Sequence, residues 1–447
     1  MGDRAEFLAR AGKPAEEALR LHARYRGKVQ MMPKCPVGGP GDFAVWYSPG
    51  VAAPCKAIHA APELVYQHTN KANTVAIVSD GSRVLGLGDI GPEAGLPVME
   101  GKALLFKYLG GVDAVPLCIG ATRADDIVQA VRWLEPSFGG INLEDIAQPK
   151  CFEILARLRD SARIPVWHDD QQGSATVALA AVINALKAVG KKIESARFAL
   201  IGTGAANIAT YRLLKAAGAD SRAVVACDSR GTLHAGRADI EGACARFADK
   251  WTLCRESNPG RIEGGIAAAL RGADVCLAFS RSGPDVIRPD DIRGMARDAI
   301  VLACANPVPE IWPWDALEAG AAVVGTGRSD FPNQVNNSLA FPGIFRGVLD
   351  VRARAVSDGM ALAAARELAG CVGVQGPTPQ RILPAMDEPS VAARLAAAVG
   401  MAAIEERLAA VTMTRDRIYQ GALERIAGAR QALTLLTAGG AIPAPAP

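Results

Sequence analysis

The chain has 447 residues, 50% of them hydrophobic and 21% charged, a balance that excludes a globally disordered polypeptide. Its 49 Lys and Arg against 46 Asp and Glu leave a formal charge of +3, so no net electrostatic pull toward nucleic acid or an anionic membrane follows. At roughly 150 residues per domain, the length suits two or three domains.

Residues 1–30 read as a charged helix, with charge too early and no apolar core for a signal peptide. Thr74–Val78 (TVAIV) and Val84–Leu87 (VLGL) read as short buried strands joined by the turn SDGSR. A helix is expected to begin at Lys102 and run to Leu109, followed by an apolar segment, Ala114 to Ile119. Asp125 to Leu134 has helical spacing, with Ile127, Val128, Val131 and Leu134 on one side. Helix 149–159, strand IPVWH and a long apolar helix from near Gly173 continue the alternation. From Arg197 the order is strand (RFALI), glycine turn (GTGAAN), helix (IATYRLLKAAG) and strand (AVVACD), one βαβ unit. The apolar runs 274–279, 299–305 and 321–327 read as further strands of a parallel sheet buried on both faces. Beyond Phe345 the chain reads as Ala- and Arg-rich helix, closing in a low-complexity tail expected to be flexible from 437 to 447.

Ten cysteines are scattered without a CxxC pair, several inside apolar runs, and read as reduced core thiols rather than zinc ligands. No stretch of ~18 uninterrupted apolar residues suggests a transmembrane helix, and the cytoplasm is the expected compartment.

Gly202, Thr203, Gly204, Ala205, Ala206 and Asn207 follow a strand and open a helix, the context a dinucleotide fingerprint requires. Gly202 permits a sharp turn, Gly204 lets backbone approach a pyrophosphate, and the helix N-terminus supplies N–H donors. Asn207 departs from the Gly or Ala expected at the third small position. The next strand ends in Asp228, placed to accept from adenine-ribose hydroxyls and so to favour NAD. Arg230, two residues on, is placed to pair with the 2′-phosphate of NADP, or is a solvated loop charge, and the coenzyme stays open between the two.

Two carboxylate pairs, Glu144-Asp145 and Asp169-Asp170, lie just after strand-like segments, where a parallel sheet presents its site loops. Adjacent carboxylates need a cation or donors to stay ionised, and several converging ones suit Mg²⁺ or Mn²⁺. Helix capping by one acid of each pair is the plainer alternative. Tyr47 before a Pro-Gly turn and Lys102 at its helix start are, taken alone, a packing residue and a solvated charge.

Taken together, VWYSPGVAAPC, VLGLGDIGPEAGLPVMEGKALLFK, GGINLEDIAQPKCFEI, IPVWHDDQQGSATVALAAVINALK, CANPVPEI and GTGRSDFPNQVNNSLAFPGIFRG resemble the malic enzyme family, most closely its short bacterial form, over residues 22 to 370. The resemblance implies an N-terminal α/β substrate- and metal-binding domain (1–172), a Rossmann-like, doubly wound dinucleotide-binding domain (173–371) and a C-terminal helical segment (372–436) without clear counterpart in the family. The implied activity is oxidative decarboxylation of L-malate to pyruvate and CO₂ with NAD or NADP and a divalent cation, in a homodimer where Tyr47 completes the partner's site. By position, Tyr47 and Lys102 match the family's catalytic tyrosine and lysine, and Asp169 the acid beside that lysine. Glu144, Asp145 and Asp170 match the metal ligands. Arg83 matches a substrate-carboxylate ligand, and Asn306 and Asn337 match asparagines that hold substrate and nicotinamide. His168 and Gln172 receive no role. Proton removal by Lys102 needs a neutral amine; burial and the nearby metal are both expected to depress its pKa, while Asp169 orients it at some cost to that depression. Arg281, in FSRSGPDV, either reads an extra anionic group on a C3-substituted substrate or points into solvent.

Overall fold

Two parallel sheets carry the architecture of the computed structural model, which describes residues 4–373 and 375–444, with side chains from residue 14 onward. The first sheet is built from β1 (Thr74–Ser79), β2 (Asp113–Cys118), β3 (Gly140–Leu143) and β4 (Val166–His168), in the order β2-β1-β3-β4 and parallel throughout. Successive residues of β1 face opposite sides. Val75 and Ile77 pack in one core with Met99, Ala103 and Phe106 of the helix Gly91–Gly110. Ala76 and Val78 pack in another with Ile127, Val128 and Val131 of Ala124–Leu134 and with Ile154, Leu155 and Leu158 of Lys150–Ser161. Both faces are covered, which is why these strands are apolar runs rather than alternating ones.

The second sheet runs β10-β9-β8-β5-β6-β7, from β5 (Phe198–Ile201), β6 (Val224–Asp228), β7 (Gly231–Thr232), β8 (Val275–Ala278), β9 (Ala299–Ala303) and β10 (Ala321–Thr326). Only β7 is antiparallel, closing the edge as a short hairpin on β6. The expected βαβ unit is present, with Ala205–Ala216 between β5 and β6, and so are the three later strands. This is a Rossmann-like, doubly wound sheet. Phe198 and Leu200 share the largest core with Val75 and Ile77, joined through the helix Ser174–Ala188 and the helices Phe341–Asp350 and Pro389–Glu405.

Two local expectations are corrected. Residues 84–87 form no strand. Val84 is buried, but the chain turns back at once, Leu87 N–H donating to Val84 O, and Leu85 and Leu87 are exposed. Both flanks of β1 are already taken by β2 and β3, so the segment that leaves it cannot pair back onto β1. Lys102 does not start a helix either. The helix begins at Gly91 with Pro92 in its first turn and carries Pro97 internally, which sets Lys102 in its middle. Burial of Met99, Ala103 and Phe106 on the sheet overrides the local cost of Pro97.

The described part of the tail folds back onto the first helix, Arg4–Tyr25: Tyr25 Oη donates to Pro443 O (2.7 Å) and Arg24 Nη2 to Ala444 O (3.0 Å). Residues 445–447 of the expected flexible tail lie outside the described residues. Among the described residues no helix is long and apolar enough to cross a membrane, and all ten cysteines are unpaired.

Candidate active site

The strand order of the first sheet reverses between β1 and β3, and in such sheets the crevice at the strands' carboxyl ends is where ligands bind. Glu144 and Asp145 follow β3 directly, and Asp169 and Asp170 follow β4. Asp145 takes up a left-handed backbone (φ +52°), a conformation aspartate tolerates better than most residues. Its N–H donates to Asp170 Oδ2 (2.8 Å), and its carbonyl accepts from Arg83 N–H (3.0 Å). After β4 the chain makes one wide π-type turn, Asp169–Gly173, before entering Ser174–Ala188. Gly173 makes room for the carboxylate there, because a Cβ would lie 1.8 Å from Asp169 Oδ1 and 3.3 Å from Asn337 Cβ and would force Asp169 to move. That contact also brings Asn337 beside the acidic turn.

Lys102 projects from its helix into this crevice. Its Nζ donates to Asp169 Oδ2, lies 2.6 Å from Glu144 Oε1 and sits 4.4 Å from the centre of the Phe341 ring. Trp167 Nε1 donates to the other Asp169 oxygen (2.9 Å), and Asn142 Nδ2 to Glu144 Oε2 (2.9 Å). Lys102, Glu144 and Asp169 are all buried. Burial pushes the Lys102 ammonium down, but Asp169, Glu144 and Asp170 together more than reverse it, and the group titrates above lysine's ordinary range. In the chain by itself, burial alone does not depress the amine. Burial raises the Glu144 carboxyl well above its usual range and pushes Asp145 up to about 8, with repulsion from Asp170 adding to both. The buried His168 imidazole is pushed down to about 4 and is neutral, and neither of its nitrogens has a hydrogen-bond partner among the described residues.

Glu144, Asp145 and Asp170 each offer a carboxylate oxygen, and these oxygens all lie within 4.8 Å of one another. Asp145 Oδ2 is buried with no hydrogen-bond partner. Three carboxylates with hard oxygen donors, one of them carrying an unpartnered oxygen and two of them raised by burial and by repulsion from Asp170, fit a divalent cation of the Mg²⁺ or Mn²⁺ class. The capping alternative accounts for neither the orphaned oxygen nor the convergence.

The glycine turn lies at the reversal point of the second sheet, between β5 and β8. Gly202 has φ +88°, and a Cβ there would lie 2.4 Å from Phe279 O. A Cβ on Gly204 would meet nothing within 4 Å, so space for a ligand is open on that side of the turn. Thr203, Ala205 and Ala206 complete the turn and the first helical residues, whose N–H groups have no intrahelical partner. These features suit a dinucleotide pyrophosphate. Asn207 has a structural use: its buried Nδ2 donates to Ile201 O, Gly202 O and Leu277 O, pinning the turn to both strands. The two site regions face each other. A Cβ on Gly86, in the loop after β1, would fall 2.6 Å from Asn306 O and 3.2 Å from Ser282 Cβ, in the loops after β9 and β8.

Not every expected residue joins the cluster. Tyr47 is 73% exposed, and no hydrogen bond or ion pair links it to Lys102 among the described residues. Arg83 is exposed, donating to Leu85 O (2.6 Å), yet its charge still acts on Asp145. Arg281 pairs with Asp285 (2.9 Å), both about two-thirds exposed, which favours the solvent reading. Asp228 is already engaged by Arg237 and Lys250, and Arg230 pairs with Asp239 (3.2 Å). Trp167, Asn142 and Phe341 were not read from the sequence as site residues. Trp167 carried a signal, since a Trp inside a buried strand needs an acceptor for its N–H. Glu310 was missed as well: fully buried, it accepts from Ser280 N–H (2.7 Å) and Ala305 N–H (3.0 Å), tying the loops after β8 and β9 together.

Comparison with known proteins agrees with this geometry. Residues 27–123 and 120–159 match the malic enzyme N-terminal domain, and residues 171–404 match the malic enzyme NAD-binding domain. The second match takes in all but the last residue of Pro389–Glu405, so this helix has a counterpart in the family, contrary to the sequence reading. The chain is 47% identical over 409 residues to the bifunctional malic/malolactic enzyme of Bacillus subtilis, covering 91% of this chain and 97% of that one. It is 46% identical over 377 residues to the NAD-dependent malic enzyme of Geobacillus stearothermophilus, covering 84% and 77%. The crystal structure of Entamoeba histolytica malic enzyme superposes with a TM-score of 0.95 at 46% identity, covering 99% of this chain and 92% of that one.

Proposed function

The chain belongs to the malic enzyme family, and on that premise we propose that it oxidatively decarboxylates L-malate to pyruvate and CO₂, reducing NAD or NADP. The observation that carries the reading is one buried amine, Lys102, held between Glu144 and Asp169 beside three carboxylates within 4.8 Å of one another.

Glu144, Asp145 and Asp170 would hold the divalent ion, and the Gly202–Asn207 turn the dinucleotide. When bound, the ion supplies Lewis-acid polarisation of the substrate oxygens and the nicotinamide accepts hydride. Lys102 takes the hydroxyl proton from C2 at Nζ. With Glu144 and Asp170 committed to a cation, Lys102 keeps Asp169 as its main counter-charge, and burial then favours the neutral amine this step needs. Trp167 and Gly173 fix the Asp169 carboxylate, which in turn aims Nζ. Arg83 pairs with a substrate carboxylate, while Asn337 and Asn306 hold substrate and nicotinamide. The hydroxyl of Tyr47 returns a proton to C3 after CO₂ leaves.

Tyr47 does this in the partner subunit of a homodimer. Its surroundings support that arrangement: Met31, Val37, Phe43, Val45 and Trp46 are each about half exposed or more, an apolar face a second copy would cover. The ten unpaired thiols support a cytoplasmic location. The test is direct. Protein, L-malate and Mn²⁺ should generate reduced nicotinamide with at least one coenzyme, and silence with both would refute the reading.

A further inference from the structure

Asp228, at the end of β6, is where an NAD-binding sheet would offer a carboxylate to the adenine ribose. In this chain that carboxylate has no capacity left. Oδ1 accepts from Arg230 N–H (2.9 Å) and Arg237 Nη1 (3.1 Å), and Oδ2 accepts from Arg237 Nη2 (3.1 Å) and Lys250 Nζ (2.8 Å). A carboxylate offers about four lone-pair sites, and all are taken. The side chain is only 9% exposed. Burial works against its ionisation, yet Arg237 and Lys250 outweigh it and hold the carboxyl below the ordinary range, so these bonds are not readily given up. A ribose 2′-hydroxyl would have to displace a charge-assisted hydrogen bond to reach Asp228.

Beside it opens a cavity of about 520 Å³, whose lining includes Ser229, Arg230, Thr232, Arg237 and Glu263. Arg237 already spans Asp239 with two bonds (2.7 and 2.9 Å), so the single 3.2 Å contact from Arg230 is that acid's weakest tie. Arg230 is 74% exposed at the rim and is the guanidinium freest to turn toward an anion. Glu263 is exposed on the same wall and opposes it.

We propose that this chain selects NADP over NAD, with Arg230 meeting the 2′-phosphate while Arg237 and Lys250 keep the Asp228 carboxylate from contesting it. The proposal rests on the dinucleotide reading of the Gly202 turn. Arg230 acts as a specificity residue; Arg237 and Lys250 are positioning residues that act through Asp228.

The experiment compares 2′,5′-ADP with 5′-AMP by calorimetry on the full chain, alongside kcat/KM for L-malate oxidation with each coenzyme. The expected result is about tenfold or more in favour of the 2′-phosphate in both measurements. Arg230→Ala should remove most of that preference, Arg230→Lys should keep part of it, and Glu263→Gln should increase it. Lys250→Met should raise NAD use relative to NADP, a ratio that a merely structural role for Lys250 would leave unchanged. Equal binding, or a preference for AMP and NAD, overturns the proposal while malate turnover leaves the malic enzyme reading standing. Selective binding of 2′,5′-ADP without turnover supports the proposal and refutes that reading.

Discussion

Lys102 Nζ lies 2.6 Å from Glu144 Oε1, so one of the three clustered carboxylates also pairs with this buried lysine. On the proposed reading, the base and the metal site share that side chain. Lys102→Ala should lower malate oxidation by ~10²-fold or more, without unfolding the protein, as checked by kcat and by circular dichroism. Activity near wild type would remove Lys102 from the mechanism.

The same coupling sets a pH dependence. The Asp145 carboxyl titrates at about 8 and Glu144 is also raised, so a divalent ion must displace protons to bind below that range. Mn²⁺ affinity should rise with pH by up to about tenfold per unit for each proton released, then level off once both carboxyls are ionised. A raised carboxyl stabilises the folded chain below its unfolded pKa and loses that contribution as pH climbs through the folded value. Added Mn²⁺ should therefore raise the melting temperature more at pH 8 than at pH 6. A pH-independent affinity would contradict this.

Gly173→Ala tests the acidic turn. The new methyl would occupy the place of Asp169 Oδ1, forcing the carboxylate away from Trp167 and Lys102. We expect kcat to fall by about 10²-fold, because misplacing an aligned group costs that order. An unchanged kcat would mean that Asp169 does not orient the amine.

Glu310→Ala probes the clamp between the loops after β8 and β9, which the proposed reading places at the coenzyme. It abandons the N–H groups of Ser280 and Ala305, each costing about 1–3 kcal/mol where water cannot replace the partner. Denaturant unfolding should show that loss, and KM for the coenzyme should rise more than KM for malate.

Tyr47 gives the test of assembly. Mixing Tyr47→Phe with Lys102→Ala, each poorly active alone, should restore turnover, because a mixed dimer holds one site with both residues intact. Failure of mixing, with subunit exchange verified, would place the tyrosine's action within its own chain.

The alternation of strand and helix and the convergence of both acidic pairs were legible because buried parallel strands and their exit loops leave local marks: VWH followed by DD, or INL followed by ED. VLGL at 84–87 misled because strand propensity says nothing of whether the chain turns back on itself, as it does at Leu87. The partners of Asp228 were out of reach for another reason. Lys250 is 22 residues away and Arg237 nine, and neither spacing carries a signal until the chain has folded around β6. Tyr47 was singled out by motif, but its exposure belongs to tertiary structure.

The most direct measurement is a Mn²⁺ titration followed by electron paramagnetic resonance, on the wild-type chain and on Glu144→Gln, Asp145→Asn and Asp170→Asn. The account predicts one site per chain, weakened about tenfold or more by each substitution. Undiminished binding in all three variants would contradict a shared ion at these carboxylates, and with it the mechanism built around Lys102.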